Sequence, residues 1–299
     1  MSKALILEER IQKSINNTSE IKISNDVKKE ILKSYINDNI PVKILSNQYK
    51  VDKLHVDQLV KATGLLDYKE RRYKTYKLDE RYFDDIDTGN KAYTLGFLFA
   101  DGNNSPKKAT VSMALQEDDK DILEKIRLDM KSERVLEFID YSHKHDFGYK
   151  YKNQYRLLLF STHVCQSLKF LGMVPNKSLV LEFPDIDPKF YPHFIRGYFD
   201  GDGSFCPHYS KTGNFQPLIT FTSTNNFCIK LQEILINELG IAGGNIYDAS
   251  CHNGITKVLS ISGAIQTKKI LDWIYTDTDM CLERKYIKYR DAFDNYMAA

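Results

Sequence analysis

Two carboxylates, Asp101 and Asp202, stand at matching places in two short segments, Leu95 to Asn103 (LGFLFADGN) and Ile195 to Phe205 (IRGYFDGDGSF). Each segment reads as an apolar helix with small residues four apart, Gly96/Ala100 and Gly197/Gly201. Residues at that spacing share one helix face, and small ones let two backbones approach closely. A carboxylate at a helix C-terminus opposes the macrodipole, which disfavours a purely structural role. Two such acids, delivered side by side by two packed helices, would suit divalent metal ions. Gly102 and Gly203, the next residues, are expected to stop the helices in the left-handed conformation.

Other chemistries find less support. DGDGSF from Asp200 has the look of a calcium loop, but its twelfth position is Lys211 rather than Glu. There is no phosphate-binding GxxxxGK[ST] loop and no evident Ser/His/Asp framework. The five cysteines, 165, 206, 228, 251 and 281, lie without a CxxC spacing and read as reduced thiols. Cys206 with His208, and Cys251 with His252, are too loosely spaced to assign a zinc site.

The elements that must position the two acids divide the chain. Residues 1–66 read as a small all-helical domain. Asp26 to Ile36 has a helical period through Val27, Ile31, Leu32 and Tyr35. Pro41 can start a second helix holding Val42, Ile44 and Leu45. After the break at Lys50-Val51-Asp52, Asp52 can cap a third helix carrying Leu54, Val56, Leu59 and Val60 to Gly64. Short helix, tight turn and second helix make a helix-turn-helix pattern, with Lys53, His55, Gln58 and Lys61 on the outer face of the second helix. Residues 67–91 read as a basic and aromatic linker. Its KERRYKTYK run (Lys69 to Lys77) carries five basic residues against one acid, with Arg71, Arg72, Lys74 and Lys77 as candidate phosphate contacts.

Residues 92–299 hold a diverged internal repeat, 92–183 and 184–299, with the key acids 101 residues apart. An alternating strand follows each acid: Ala109, Val111, Met113 and Leu115, then Leu218, Ile219 and Phe221. Helices follow at Asp118 to Met130 and Asn225 to Leu239. Further strands are expected at Val135 to Tyr141 with Tyr155 to Phe160, and at Asn245 to Ala249 with Lys257 to Ile261. Each half returns to helix, at Thr162 to Leu171 and Ala264 to Tyr275. The fold class expected is α+β, with the order helix, two strands, helix, two strands, helix used twice.

On these residues the chain resembles the LAGLIDADG homing endonucleases. TLGFLFADG (Thr94 to Gly102) and IRGYFDGDG (Ile195 to Gly203) match the nine-residue motif in spacing, glycines and penultimate Asp. The first copy departs at Phe99, where the family often has an acid, whereas Asp200 keeps it in the second. The resemblance implies tandem pseudo-symmetric αββαββα repeats that meet along the motif helices and form a DNA-binding saddle. A β-ribbon would enter the major groove, where base edges carry a distinguishable code. It implies Mg2+-dependent hydrolysis of both strands of a long asymmetric duplex site by a monomer. The metal would lie at Asp101, Asp202, Gly102 and Gly203, and Mn2+ could substitute. It also implies a basic residue near each scissile phosphate, here assigned to Lys177 and Lys285. Polar residues closing the second strand of each half, near Gln116 and Asn225, match positions that orient water in the family; a helix N-cap would explain Asn225 equally. The N-terminal helices and linker are additions to a minimal member, similar to free-standing phage and viral forms.

Net charge is only +2, so overall charge does not announce a nucleic-acid partner; the local basic run points that way, but alone it is weak, a solvated charged face being its usual explanation. No stretch approaches the roughly 20 apolar residues that span a bilayer, and MSKALILEER lacks a signal-peptide layout. A cytoplasmic protein of a bacterial or phage-infected cell is expected. Two other readings stay open: a non-catalytic transcription regulator on the same scaffold, separated by whether both acids act, and an intron RNA maturase, separated by RNA against duplex binding.

Overall fold

The computed structural model describes residues 3–37, 42–64, 76–141, 145–146, 149–175, 177–249, 256–276 and 278–298. The chain forms two compact units, residues 1–75 and 76–299. Among the described residues no helix is long and apolar enough to cross a membrane.

The first unit contains α1 (Lys3–Asn17), α2 (Asn25–Asn37), α3 (Val42–Tyr49) and α4 (Lys53–Ala62). Its core gathers Ile11 and Ile15 of α1, Ile31, Leu32 and Tyr35 of α2, Leu45 of α3, and Val56, Leu59 and Val60 of α4. Helix α1 was not anticipated, although Ile11 and Ile15 have the one-turn spacing of a buried face. The Ser14 hydroxyl donates to Leu59 O at 2.6 Å, tying α1 to α4. Lys50 takes a left-handed φ of 52° in the α3–α4 turn, and Asp52 caps α4 by accepting from Leu54 N at 2.7 Å. Lys53, His55, Gln58 and Lys61 are exposed along α4, as expected. Leu54 differs from expectation: it is 62% exposed rather than buried, because it faces outward among those polar residues.

The second unit repeats one arrangement. The first half contains α5 (Gly89–Asp101), β1 (Asn103–Ser105), β2 (Thr110–Gln116), α6 (Lys120–Asp129), β3 (Glu137–Ile139), the hairpin strands β4 (His145–Asp146) and β5 (Tyr149–Lys150), β6 (Gln154–Phe160) and α7 (Thr162–Phe170). The second contains α8 (Tyr191–Asp202), β7 (Gly203–Cys206), β8 (Leu218–Thr224), α9 (Asn225–Leu239), β9 (Asn245–Asp248), β10 (Thr256–Ser262) and α10 (Ala264–Ile274). A final helix, α11 (Glu283–Ala298), follows the last helix expected of the second repeat. The two four-stranded sheets have matching antiparallel orders, β1-β2-β6-β3 and β7-β8-β10-β9. The fold is therefore α+β with tandem αββαββα halves.

Alternation decides which sheet face is covered. Val111, Met113 and Leu115 of β2, and Ile219 and Phe221 of β8, turn into one large core. Residues between them, such as Ser112, Ala114, Thr220 and Thr222, stay half-exposed on the opposite faces. Of the linker expected at 67–91, residues 67–75 lie outside the described residues, and residues 76–91 belong to the second unit, where Tyr82 and Phe83 are buried in its core. The Tyr82 hydroxyl bonds Asp129 of α6 and lies 3.3 Å from the Thr94 hydroxyl. Val135 is likewise not in a strand and is exposed, since β3 begins at Glu137.

Candidate active site at the paired helix ends

Helices α5 and α8 pack side by side through their small residues. A Cβ placed on Gly96 would lie 2.0 Å from Phe194 O, and one on Gly197 would lie 2.0 Å from Tyr93 O. One on Gly201 would meet the Ala100 Cβ at 2.3 Å. Only glycine permits this backbone approach, and it brings the two helix C-termini together. Asp101 and Asp202 are the last residues of those helices.

Gly102 and Gly203 do not take the expected left-handed stop. They are extended, with φ −78°, ψ 152° and φ −82°, ψ 157°, because each chain passes straight from helix into strand. Glycine is required there by space. An added Cβ would meet Leu98 O at 2.6 Å or Phe199 O at 2.6 Å.

Two lysines, one from each half, reach the helix ends. Lys177 Nζ donates to Ala100 O at 2.7 Å. Lys285, in the first turn of α11, donates to Phe199 O at 2.7 Å and Gly203 O at 2.6 Å, with Gly201 O at 3.4 Å. An ammonium on terminal carbonyls satisfies groups that a helix end leaves open and complements its dipole. The Gly203 carbonyl is thus engaged by Lys285.

The electrostatics couple these four side chains. Desolvation by the packed helix ends pushes the Asp202 carboxyl up to about 6, the Asp101 charge adding to it, against the pull of Lys177 and Lys285. Desolvation also raises Asp101, opposed by Lys285 and Lys177. It lowers Lys285 to about 8 despite the Asp200, Asp101 and Asp202 carboxylates, and lowers Lys177. Both Asp residues remain open to solvent. Shifts of this kind cluster at sites built for chemistry.

The other candidates divide. Gln116 closes β2 and is exposed. In the second half the strand-closing position belongs to Thr224, which caps α9 by accepting from Phe227 N at 3.3 Å. Asn225 sits one residue further, exposed on the first turn of α9, so it neither closes the strand nor caps the helix. Lys77 is exposed and pairs with Glu133 at 3.3 Å. Arg71, Arg72 and Lys74 lie outside the described residues, as do Cys251 and His252. Among the described residues no group of three or more His, Cys, Asp or Glu side chains could hold a metal. Sequence reasoning missed Arg284 and Lys288 of α11, which line a cavity of about 410 Å3 with Gly203, Ser204, Phe205 and Lys285. The RKYIK spacing was the signal, since residues 284 and 288 share a helix face.

No family model matches the chain, and no curated protein matches it significantly. Solved structures do. One is the meganuclease I-SmaMI bound to uncleavable DNA, with a TM-score of 0.45 and 16% identity, over 68% of this chain and 88% of that one. A second is the LAGLIDADG homing endonuclease I-LtrWI bound to target DNA, with a TM-score of 0.44 and 12% identity, over 71% and 89%. A third is the LAGLIDADG meganuclease I-AabMI bound to uncleaved DNA, with a TM-score of 0.44 and 15% identity, over 68% and 91%.

Proposed function

We propose that the chain is a LAGLIDADG homing endonuclease that cuts both strands of a long asymmetric DNA site, acting as a monomer with Mg2+ or Mn2+. The observation that carries this reading is the placement of Asp101 and Asp202 at the ends of two helices in glycine-mediated contact.

The donor set fits a hard divalent cation. Two solvent-accessible carboxylates, each raised chiefly by partial desolvation at the packed helix ends, would hold it; the Gly102 carbonyl would be a further oxygen, whereas the Gly203 carbonyl would first have to leave Lys285. Two protein carboxylates leave room for water and phosphate oxygens, the coordination such ions favour. When bound, the metal supplies Lewis-acid polarisation and an activated water. Lys177 and Lys285 would offset charge that builds on a phosphate beside the carboxylates. Gln116, at an exposed strand end, would orient water, and Asn225 stands further from that task.

Recognition is assigned to the open sheet faces, where Ser112, Ala114, Thr220 and Thr222 stand in rows suited to a major groove. The exposed α4 face, Lys53, His55, Gln58 and Lys61, would act as the recognition helix of a helix-turn-helix. With Arg71, Arg72, Lys74 and Lys77 it would add salt-dependent affinity.

Selection of cleaved sites from a random DNA library with Mg2+ tests the reading. Recovered sites should be cut on both strands, and D101N and D202N should each lose at least about 100-fold in cleavage while retaining binding. Robust double-strand cutting by both variants would overturn the assignment. Duplex binding without cleavage by the parent protein would favour a regulator, and preferential intron RNA binding a maturase.

A further inference from the structure

One buried carboxylate lies beside the paired acids without belonging to them. Asp200 is 1% exposed and accepts three hydrogen bonds. The donors are the Tyr93 hydroxyl of α5 at 2.9 Å, the Tyr275 hydroxyl at the end of α10 at 2.7 Å, and the Leu282 backbone N–H at 2.7 Å. Leu282 immediately precedes α11, and its carbonyl accepts from Lys285 N at 2.9 Å. A residue held at Leu282 therefore holds the first turn of α11. Arg196, one turn earlier on α8 and buried, secures the approach by donating to Met280 O at 2.9 Å and Ile274 O at 2.8 Å.

Among the described residues the first half shows no such link. Phe99 occupies the position equivalent to Asp200 and packs edge-on against Phe194, with ring centroids 5.4 Å apart. Lys177 begins a three-residue turn rather than riding a sixteen-residue helix. Among the described residues, side chains hold its neighbourhood at Met173 O, from the Asn104 amide at 2.9 Å, and at Leu181 O, from the Thr224 hydroxyl, each four residues away. Lys177 bonds one helix-end carbonyl where Lys285 bonds two closely and a third at 3.4 Å.

We propose that Asp200 is a positioning residue that fixes Leu282, and through it seats Lys285 at the end of α8, so that the centre served by Lys285 is pre-formed and its DNA strand is cut first. The strand order rests on the nuclease reading above; the positioning of α11 does not.

The test pairs D200L, which gives the second half an apolar residue as in the first, with D200N. Asparagine can still accept from Leu282 N–H and donate to the Tyr275 hydroxyl oxygen. Amide hydrogen exchange at residues 282–287 should quicken at least tenfold in D200L and stay within threefold of the parent in D200N, while amides of α5 remain protected in both. On a duplex labelled separately on each strand, the parent should cut one strand at least fivefold faster, and K285M identifies it as the strand served by Lys285. D200L should slow that strand at least tenfold and the other less than threefold, with D200N restoring the order. If D200L does not fold, D200S, too short to span to Leu282, is measured the same way. Unchanged exchange in the disrupted variant overturns the positioning. Equal strand rates in the parent, or equal slowing of both strands, overturn the strand order. A parent protein that cuts neither strand overturns the nuclease reading, and the exchange data still decide the role of Asp200.

Discussion

Gly96 and Gly197 occupy reciprocal seats: each lies against a backbone carbonyl of the other's helix, where an added Cβ would come within 2.0 Å. Backbone cannot yield as a flexible side chain can, so a methyl group at either position must drive α5 and α8 apart. G96A and G197A are each expected to cost more than about 3 kcal/mol, seen as a fall in Tm of roughly 6–12 °C. Thermal unfolding followed by circular dichroism checks this, and a change of under about 2 °C would contradict the contact.

Asp202 makes stability depend on pH with a sign opposite to that of an ordinary salt-bridged carboxylate. Its folded pKa is raised to about 6. Its proton-linked contribution to stability is therefore fully present below the unfolded value near 4 and lost as pH rises through about 6. In metal-free buffer, D202N should match the parent at pH 4 and exceed it at pH 7. Because the side chain is solvent-accessible, screening holds the gain to roughly 1 kcal/mol, or about 2–4 °C. Melting curves at the two pH values with a chelator present provide the measurement. Added Mg2+ should then narrow the difference by stabilising only the parent.

Lys177 and Lys285 approach the acids from different halves, so their removal should separate the two strands. K177M and K285M are each expected to slow one strand by about 10- to 100-fold, and not the same strand. Affinity for uncut duplex in Ca2+ should change less than about threefold. Loss confined to a single strand in both variants would contradict the two-centre arrangement.

Leu54 is a large apolar side chain left 62% exposed on α4 between Lys53 and His55. L54A should leave stability within about 0.5 kcal/mol but weaken duplex binding by about 5- to 10-fold, as expected of an apolar contact to a base methyl group. K53A and K61A should instead each reduce the slope of log affinity against log salt by about one. Binding titrations across a salt series distinguish the two effects.

The motif helices and the first long strand of each half were legible because each depends on local spacing. Small residues four apart and alternating apolar residues needed no knowledge of distant contacts, whereas Lys177 and Lys285 were picked out only through the family resemblance. The conformation of Gly102 and Gly203 was not legible, because it depends on the chain entering a strand without a turn. The shift from Asn225 to Thr224 is a one-residue boundary that only pairing register fixes: Thr224 opposes Thr256. Helix α11 has Tyr286, Tyr289 and Phe293 at helical spacing, but its charged character hid the buried face. The Asp200 network lay furthest out of reach, since its donors at 93, 275 and 282 are between 75 and 107 positions away in sequence.

The contrast between Phe99 and Asp200 has a consequence for what one continuous chain allows. In an assembly of two identical subunits every substitution appears twice, so a carboxylate at one of these sites would face its duplicate need for donors at the other. Tyr93 supplies a hydroxyl to Asp200, whereas Phe194, its counterpart across the symmetry, has none to give. Joining the halves covalently lets each mutate alone around a joint that stays symmetric. Fusion thus removes the obligation to be palindromic, in the protein and in whatever it grips.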